Sequence, residues 1–283
     1  MRCTTRAVWV AWAVPAGLVT VTYSRVPPER LYHVTRHGPA GGLSRALVFV
    51  DFPGALVALA LLVVTAGSFR GARARRVAVV AALLCASVAV PGVIDQDHLD
   101  ARPISVVPAI GVLLALALTW RRPLPLRPTG RDAAVAAALA VLSLPWIAAQ
   151  AGLSLPGRVF LTRTLVREPG EVGLVPAVHL GDHHGLSAAM LVVTALVLWP
   201  LARNAGAGRG SGRGARGYLA LLLAYGLVNM VQDAWGEQVV ARGWTGRAIP
   251  DALEPAASAV WLVIVLLALA AYRLLPPGRG RCA

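Results

Sequence analysis

Residues 46–66 read ALVFVDFPGALVALALLVVTA, and residues 67–76 directly behind them read GSFRGARARR. The first stretch holds a single ionisable side chain, Asp51. A helix needs about 20 apolar residues to cross a hydrocarbon core of about 30 Å. In lipid the backbone must satisfy its own hydrogen bonds, so a run of this length is expected to be helical. The second stretch places Arg70, Arg73, Arg75 and Arg76 at the end of that helix. A membrane span with a cationic flank is therefore the unit from which the rest of the chain is read.

The unit recurs. Apolar stretches lie at about 7–23, 46–66, 77–94, 103–120, 133–151, 186–202, 217–235 and 257–275. They predict an all-α, polytopic membrane helix bundle of about eight transmembrane helices in a single integral-membrane domain over residues 1–283. Arg2 and Arg6 ahead of the first stretch also fit a signal sequence. No clear small-x-small cleavage site follows, and Pro15 sits inside, so a retained span is expected. Cleavage would leave the orientation of the rest unchanged.

The composition agrees. Of 283 residues, 57% are hydrophobic and 14% charged, against about a quarter charged in soluble globular domains. All 27 basic residues are Arg; with heavy Ala, Gly, Val and Pro use, this suggests a GC-rich genome. Four arginines lie between spans 2 and 3, four (Arg121, Arg122, Arg127, Arg131) between spans 4 and 5, and four (Arg203, Arg209, Arg213, Arg216) between spans 6 and 7. Arg2, Arg6, Arg273, Arg279 and Arg281 at the termini share that side, where Asp132 is the only acid. The positive-inside rule makes it cytoplasmic, with both termini inside. A prokaryotic cytoplasmic membrane is expected, with anionic headgroups as the partner of these arginines. The net charge of +14 thus orients the chain and does not imply nucleic acid. The Gly/Arg-rich run at 203–217 is expected to be a solvated linker near lipid headgroups.

Every histidine and twelve of the 13 acidic residues fall on the other side. Four clusters stand out there. Tyr32-His33-Val34-Thr35-Arg36-His37 places two histidines four apart in the first outer loop. Asp95-Gln96-Asp97-His98 opens the turn between spans 3 and 4, and His179-Leu180-Gly181-Asp182-His183-His184-Gly185 leads into span 6. The outer end of span 7 carries Tyr225, Asn229, Gln232, Asp233 and Glu237 on one helical face.

In a helical 179–184 segment, His179 and His183 share a face, and Gly181 and Gly185 leave the backbone free to bring His184 round. Three imidazoles with a carboxylate or water form a tetrahedral zinc site, and an open fourth position makes it catalytic. Asp95 or Asp97 would act as general base or fourth ligand. Asn229, Gln232 and Asp233, polar within an apolar span, are expected to line a wet cavity. Together with His33 and Asp51 they form the candidate substrate-binding set. Asp51 closes the same cavity or pairs with Arg45. Glu237 is expected to reach interfacial water or an outer-loop arginine such as Arg102. Trp120 and Trp199 at inner span ends, with Trp146, Trp235 and Trp261 at outer ones, fit interfacial anchors. Arg158–Val175, around Pro169-Gly170, reads as a short hairpin lid or a disordered loop.

The cysteines (Cys3, Cys85, Cys282) offer no outer-loop disulfide. The paired histidines do not fit the boxes of membrane desaturases, which use more histidines and face the cytoplasm. Three His plus an Asp is similar to the ligand set of seven-span zinc amidases of the ceramidase type, with no longer motif in common. The expected function is a metal-dependent hydrolase acting on an amide or ester in a lipid-linked or outer-leaflet substrate. The alternatives are an ion- or proton-coupled permease, or a non-catalytic membrane scaffold.

Overall fold

The computed structural model describes residues 5–25, 38–93, 101–122, 130–167, 173–178, 184–204, 210–252 and 257–274. The architecture is all-α. Its helices are α1 (Thr5–Arg25), α2 (Gly38–Phe49), α3 (Ala55–Thr65), α4 (Ala72–Ala86), α5 (Val106–Thr119), α6 (Gly130–Leu142), α7 (Leu144–Gln150), α8 (His184–Asn204), α9 (Gly210–Trp235) and α10 (Ala259–Leu274). A π-turn, Val50–Gly54, joins α2 to α3 and contains Pro53. Proline removes a backbone donor from the ladder, and a wider turn is one way for a helix to absorb the loss.

Four helical stretches are long and apolar enough to cross a membrane: Thr5–Arg25, Gly38–Ser68, Gly185–Ala202 and Gly212–Val240. Pro103–Thr119 and Ala259–Leu274 are shorter apolar helices. These features point to an integral membrane protein. Several boundaries differ from the hydropathy reading. The span expected at 133–151 is two helices, α6 and α7, which break at Ser143 ahead of Pro145. The second span begins at Gly38, inside what reads as outer loop, because Gly42 packs directly on Thr20 and Ser24 of α1. The Gly/Arg-rich linker is helical from Gly210.

Buried α3 sits at the centre, in contact with α4, α5, α8 and α9, and Ala55, Val57, Ala58 and Leu61 are sealed from solvent. Antiparallel pairs surround it: α1 with α2, α4 with α5, α8 with α9, and α9 with α10. Small residues permit the close approaches. A side chain at Gly226 of α9 would lie 2.8 Å from the Ala188 carbonyl of α8, and one at Gly111 of α5 would lie 2.7 Å from the Cys85 nitrogen of α4. By contrast α10 exposes Leu262, Val263, Leu266 and Leu269, and α4 exposes Val79, Val80 and Leu83. Apolar faces of this extent match a lipid environment.

The arginine-bearing helix ends assemble at one end of the bundle. The Thr5 amide donates to the Arg122 carbonyl at 3.2 Å, and Arg122 Nη1 donates to the Ser68 carbonyl at 3.1 Å. At the other end the Thr22 hydroxyl donates to the Gln150 carbonyl, and the Ala101 amide to Ser44 Oγ at 2.8 Å.

Candidate functional site

The outer half of α9 carries a polar stripe with a four-residue repeat. Tyr225, Asn229, Asp233 and Glu237 are all buried, the last on a π-turn (Gly236–Val240) that extends the helix. Gln232, at the edge of the same face, is half-buried. Asn229 uses both ends of its amide: Nδ2 donates to the Tyr225 carbonyl at 3.1 Å, and Oδ1 accepts from the Ala252 amide at 3.3 Å. The second bond ties the approach to α10 onto the stripe. Tyr225 is enclosed by Trp261, stacked at 5.5 Å between ring centroids, and by Phe52, edge-on at 6.1 Å.

Glu237 is only 6% exposed. The segment after α7 folds over this end of α9, where Gln238 clasps Leu161 through both backbone groups, at 2.8 Å to the amide and 2.9 Å to the carbonyl. That segment forms the expected hairpin, with Leu165–Val166 (β1) antiparallel to Val175–Pro176 (β2). Residues 168–172 lie outside the described structure.

Three helices meet at Asp233. Gly185, one residue into α8, lies against both the Asp233 carboxylate and the Trp146 indole of α7. Any β-carbon there would overlap both groups, so the approach depends on glycine. Trp146 is therefore not the interfacial anchor that its place near a span end suggests; it is 2% exposed and packs beneath the start of α8. Trp199 is likewise buried in the bundle. One turn on from Trp146, Gln150 is sealed from solvent.

Asp51 lies in the π-turn between α2 and α3 and is completely buried. Ser105, in the turn that opens α5, is the side chain acting on it. Apart from Ser105, no described residue offers either carboxylate oxygen a hydrogen bond. Arg45, the alternative partner, is itself buried and lies over the Tyr23 ring, 5.6 Å from its centroid.

Of the sequence-derived set, Asp51, Asn229 and Asp233 are thus buried inside the bundle, and Gln232 flanks them. His33, Asp95, Asp97, His179 and His183 lie outside the described residues. His184 opens α8, but only its backbone is described. Among the described residues no three His, Cys, Asp or Glu side chains come together as metal ligands.

Sequence reasoning overlooks Gln150 and gives Trp146 and Gly185 other roles than the contact with Asp233. Two signals were available for them: the four-residue spacing of Trp146 and Gln150, and a glycine immediately behind the His183-His184 pair. Chemically, a carboxylate held in a low-dielectric interior interacts more strongly with any cation or proton donor brought to it. Comparison with protein-family models, curated proteins and solved structures finds no match.

Proposed function

We propose that the chain is a metal-dependent membrane hydrolase of about eight spans, N-in and C-in. Its site would face the extracytoplasmic side of a prokaryotic cytoplasmic membrane. One observation carries this reading: Gly185 lies against the Asp233 carboxylate. The segment His179-Leu180-Gly181-Asp182-His183-His184 runs directly into that glycine, so the histidine-rich loop terminates beside a buried acid. Imidazole nitrogens and carboxylate oxygens are a donor set suited to zinc.

In this reading His179, His183 and His184 hold the metal, and Asp95 or Asp97 is the base or a fourth ligand. Zinc, when bound, supplies Lewis acidity towards a scissile carbonyl. Asn229, Gln232 and Asp233 bind the polar part of the substrate, with His33 and Asp51 at its margins. Trp146 shields the carboxylate from water. A lipid-linked or outer-leaflet amide or ester fits a site built at the end of membrane helices.

The test is metal analysis of the detergent-purified chain. Stoichiometric zinc is expected in the wild type, with loss in His183→Ala/His184→Ala. A wild-type protein without stoichiometric metal overturns the proposal.

A second reading, an ion- or proton-coupled permease, is favoured by Asp51, a carboxyl buried at a π-turn with Ser105 as its one hydrogen-bonding side chain among the described residues. Ion flux into proteoliposomes that is lost in Asp51→Asn would support it, and flux unaltered by that substitution would exclude Asp51 as the carrier.

A further inference from the structure

The arginine-rich end of α5 holds a feature that the hydrolase reading does not use. An open groove of about 680 Å³ lies there along one face of α5, with Leu113, Leu116 and Ala117 on its floor and Trp120, Arg121 and Arg122 at its rim. Arg122 is fixed: Nε donates to the Leu118 carbonyl at 3.3 Å, Nη1 donates to the Ser68 carbonyl, and the guanidinium lies 5.4 Å from the Phe69 ring centroid. Its second terminal nitrogen has no protein acceptor among the described residues. Exposed Arg121 has neither hydrogen bond nor ion pair among them.

A third charge adjoins the rim, since Arg6 of α1 lies 5.1 Å from the Trp120 ring centroid. Its position is held by the bond from the Thr5 amide to Arg122 and by Trp9 Nε1, which donates to Thr119 Oγ1 at 2.9 Å. The carboxylates whose side chains are described, Asp51, Asp233, Glu237 and Asp251, belong to the opposite end of the bundle, and Asp132 is the one acid that the sequence places on the arginine side. Below the rim the groove continues into a line of exposed apolar side chains on α5, Leu113, Ile110 and Val106. Fourteen residues of helix at about 1.5 Å per residue make a track of about 20 Å.

We infer that this groove is a binding site for an anionic phospholipid, with its phosphate on Arg121 and Arg122 and an acyl chain along Leu116, Leu113 and Ile110. A soluble anion would use the arginines but not the apolar track, and a neutral lipid would use the track but not the charges. Guanidinium groups match phosphate in charge and geometry, and an aromatic ring at the rim suits the headgroup level of a bilayer. The inference is independent of the hydrolase reading, because it involves the other end of the molecule and needs no metal.

The test uses the detergent-purified full chain, titrated with phosphatidylglycerol, with phosphatidylcholine of the same acyl chains, and with glycerol phosphate. Unfolding temperature and lipid retention in native mass spectrometry are the readouts. Phosphatidylglycerol should bind and raise the unfolding temperature, and the other two should do so far less. Arg121→Gln, at an exposed position without internal partners, should weaken phosphatidylglycerol binding roughly fivefold, as expected for one arginine near a headgroup. Ala117→Trp should block the track while leaving every charge in place. Arg70→Gln/Arg73→Gln removes two charges from the same end outside the groove and should retain binding. Equal binding of the two lipids, wild-type affinity in Arg121→Gln, or an equal loss in the Arg70/Arg73 control would each overturn the site. A full response to glycerol phosphate alone would overturn the lipid.

Discussion

Gly185→Ala puts the smallest possible probe at the point where α7, α8 and α9 converge. The added β-carbon would overlap two Trp146 indole atoms and the Asp233 carboxylate. Neither neighbour can swing into solvent, since both are buried, so the start of α8 must shift or the indole must leave its rotamer. Overpacking of this kind costs about 1–3 kcal/mol. The gain from replacing glycine in a helix, at most about 1 kcal/mol, is smaller at the second helical residue. A net loss of about 1–2 kcal/mol follows, or roughly 2–8 °C at about 2–4 °C per kcal/mol.

The assay is thermal unfolding of the purified protein in detergent, with Gly217→Ala of α9 as the internal control. A β-carbon at Gly217 meets nothing within 4 Å, so that variant should gain about 0.5–1 kcal/mol from helix propensity alone. Trp146→Leu in the Gly185→Ala background should recover part of the loss, giving a coupling energy of about 0.5–3 kcal/mol between the two positions. Metal content should also fall in Gly185→Ala, although no proposed ligand has been replaced, because a shift at the start of α8 moves His184, which opens that helix. Unfolding at or above the wild-type temperature, with Gly217→Ala behaving as expected, would refute the three-helix contact.

Other substitutions test the surrounding structure. Asn229→Ala leaves the buried Ala252 amide without its acceptor and should cost about 1–3 kcal/mol, with faster hydrogen exchange at Ala252; unchanged exchange would show that the tie is absent. Gln238→Ala removes both bonds to Leu161 and should speed tryptic cleavage at Arg158 and Arg163, while overall unfolding moves by a few degrees at most. Asp51→Asn takes a charge out of a buried place that no described cation faces, where an unpaired charge is penalised, while an amide can still meet Ser105. Its unfolding temperature should equal or exceed the wild type, and a clear fall would mean that the carboxylate is paired.

Much of the bundle is legible because hydropathy and the 3.6-residue repeat act locally. The stretch 46–66 announces a buried helix, and the offsets between Tyr225, Asn229 and Asp233 place them on one face before any coordinate is known. What escapes is set by contacts between distant segments. Gly38-Pro39-Ala40-Gly41-Gly42 has the composition of a turn, yet it is helical because Gly42 lets α2 press against α1, and packing overrides propensity. Trp146 obeys the rule for an aromatic at a span end, and only its contact with Gly185, 39 residues later, makes it interior. Glu237 follows the same logic: its burial depends on Gln238 meeting Leu161, a pairing that no periodicity encodes. Hydropathy also averages across Ser143, so two helices read as one.

The π-turn at Val50–Gly54 makes the second span sensitive to its own length. One extra residue in a turn advances the helix by about 100°, since 3.6 residues complete a circle. The face that Ser44 and Arg45 present to their neighbours and the face on which Val57 and Leu61 lie are therefore aligned across the joint by a single surplus residue. Deleting one residue between Val50 and Gly54 would keep composition and hydropathy nearly intact, yet it would rotate the half of the helix before the joint by about 100° against the half behind it. The buried guanidinium of Arg45 would be turned towards lipid, and the contact between Ser44 and Ala101 would be lost. Among related chains, an insertion or deletion in this pentapeptide should be rarer than substitution within it, a constraint of phase that neither charge nor apolarity would reveal.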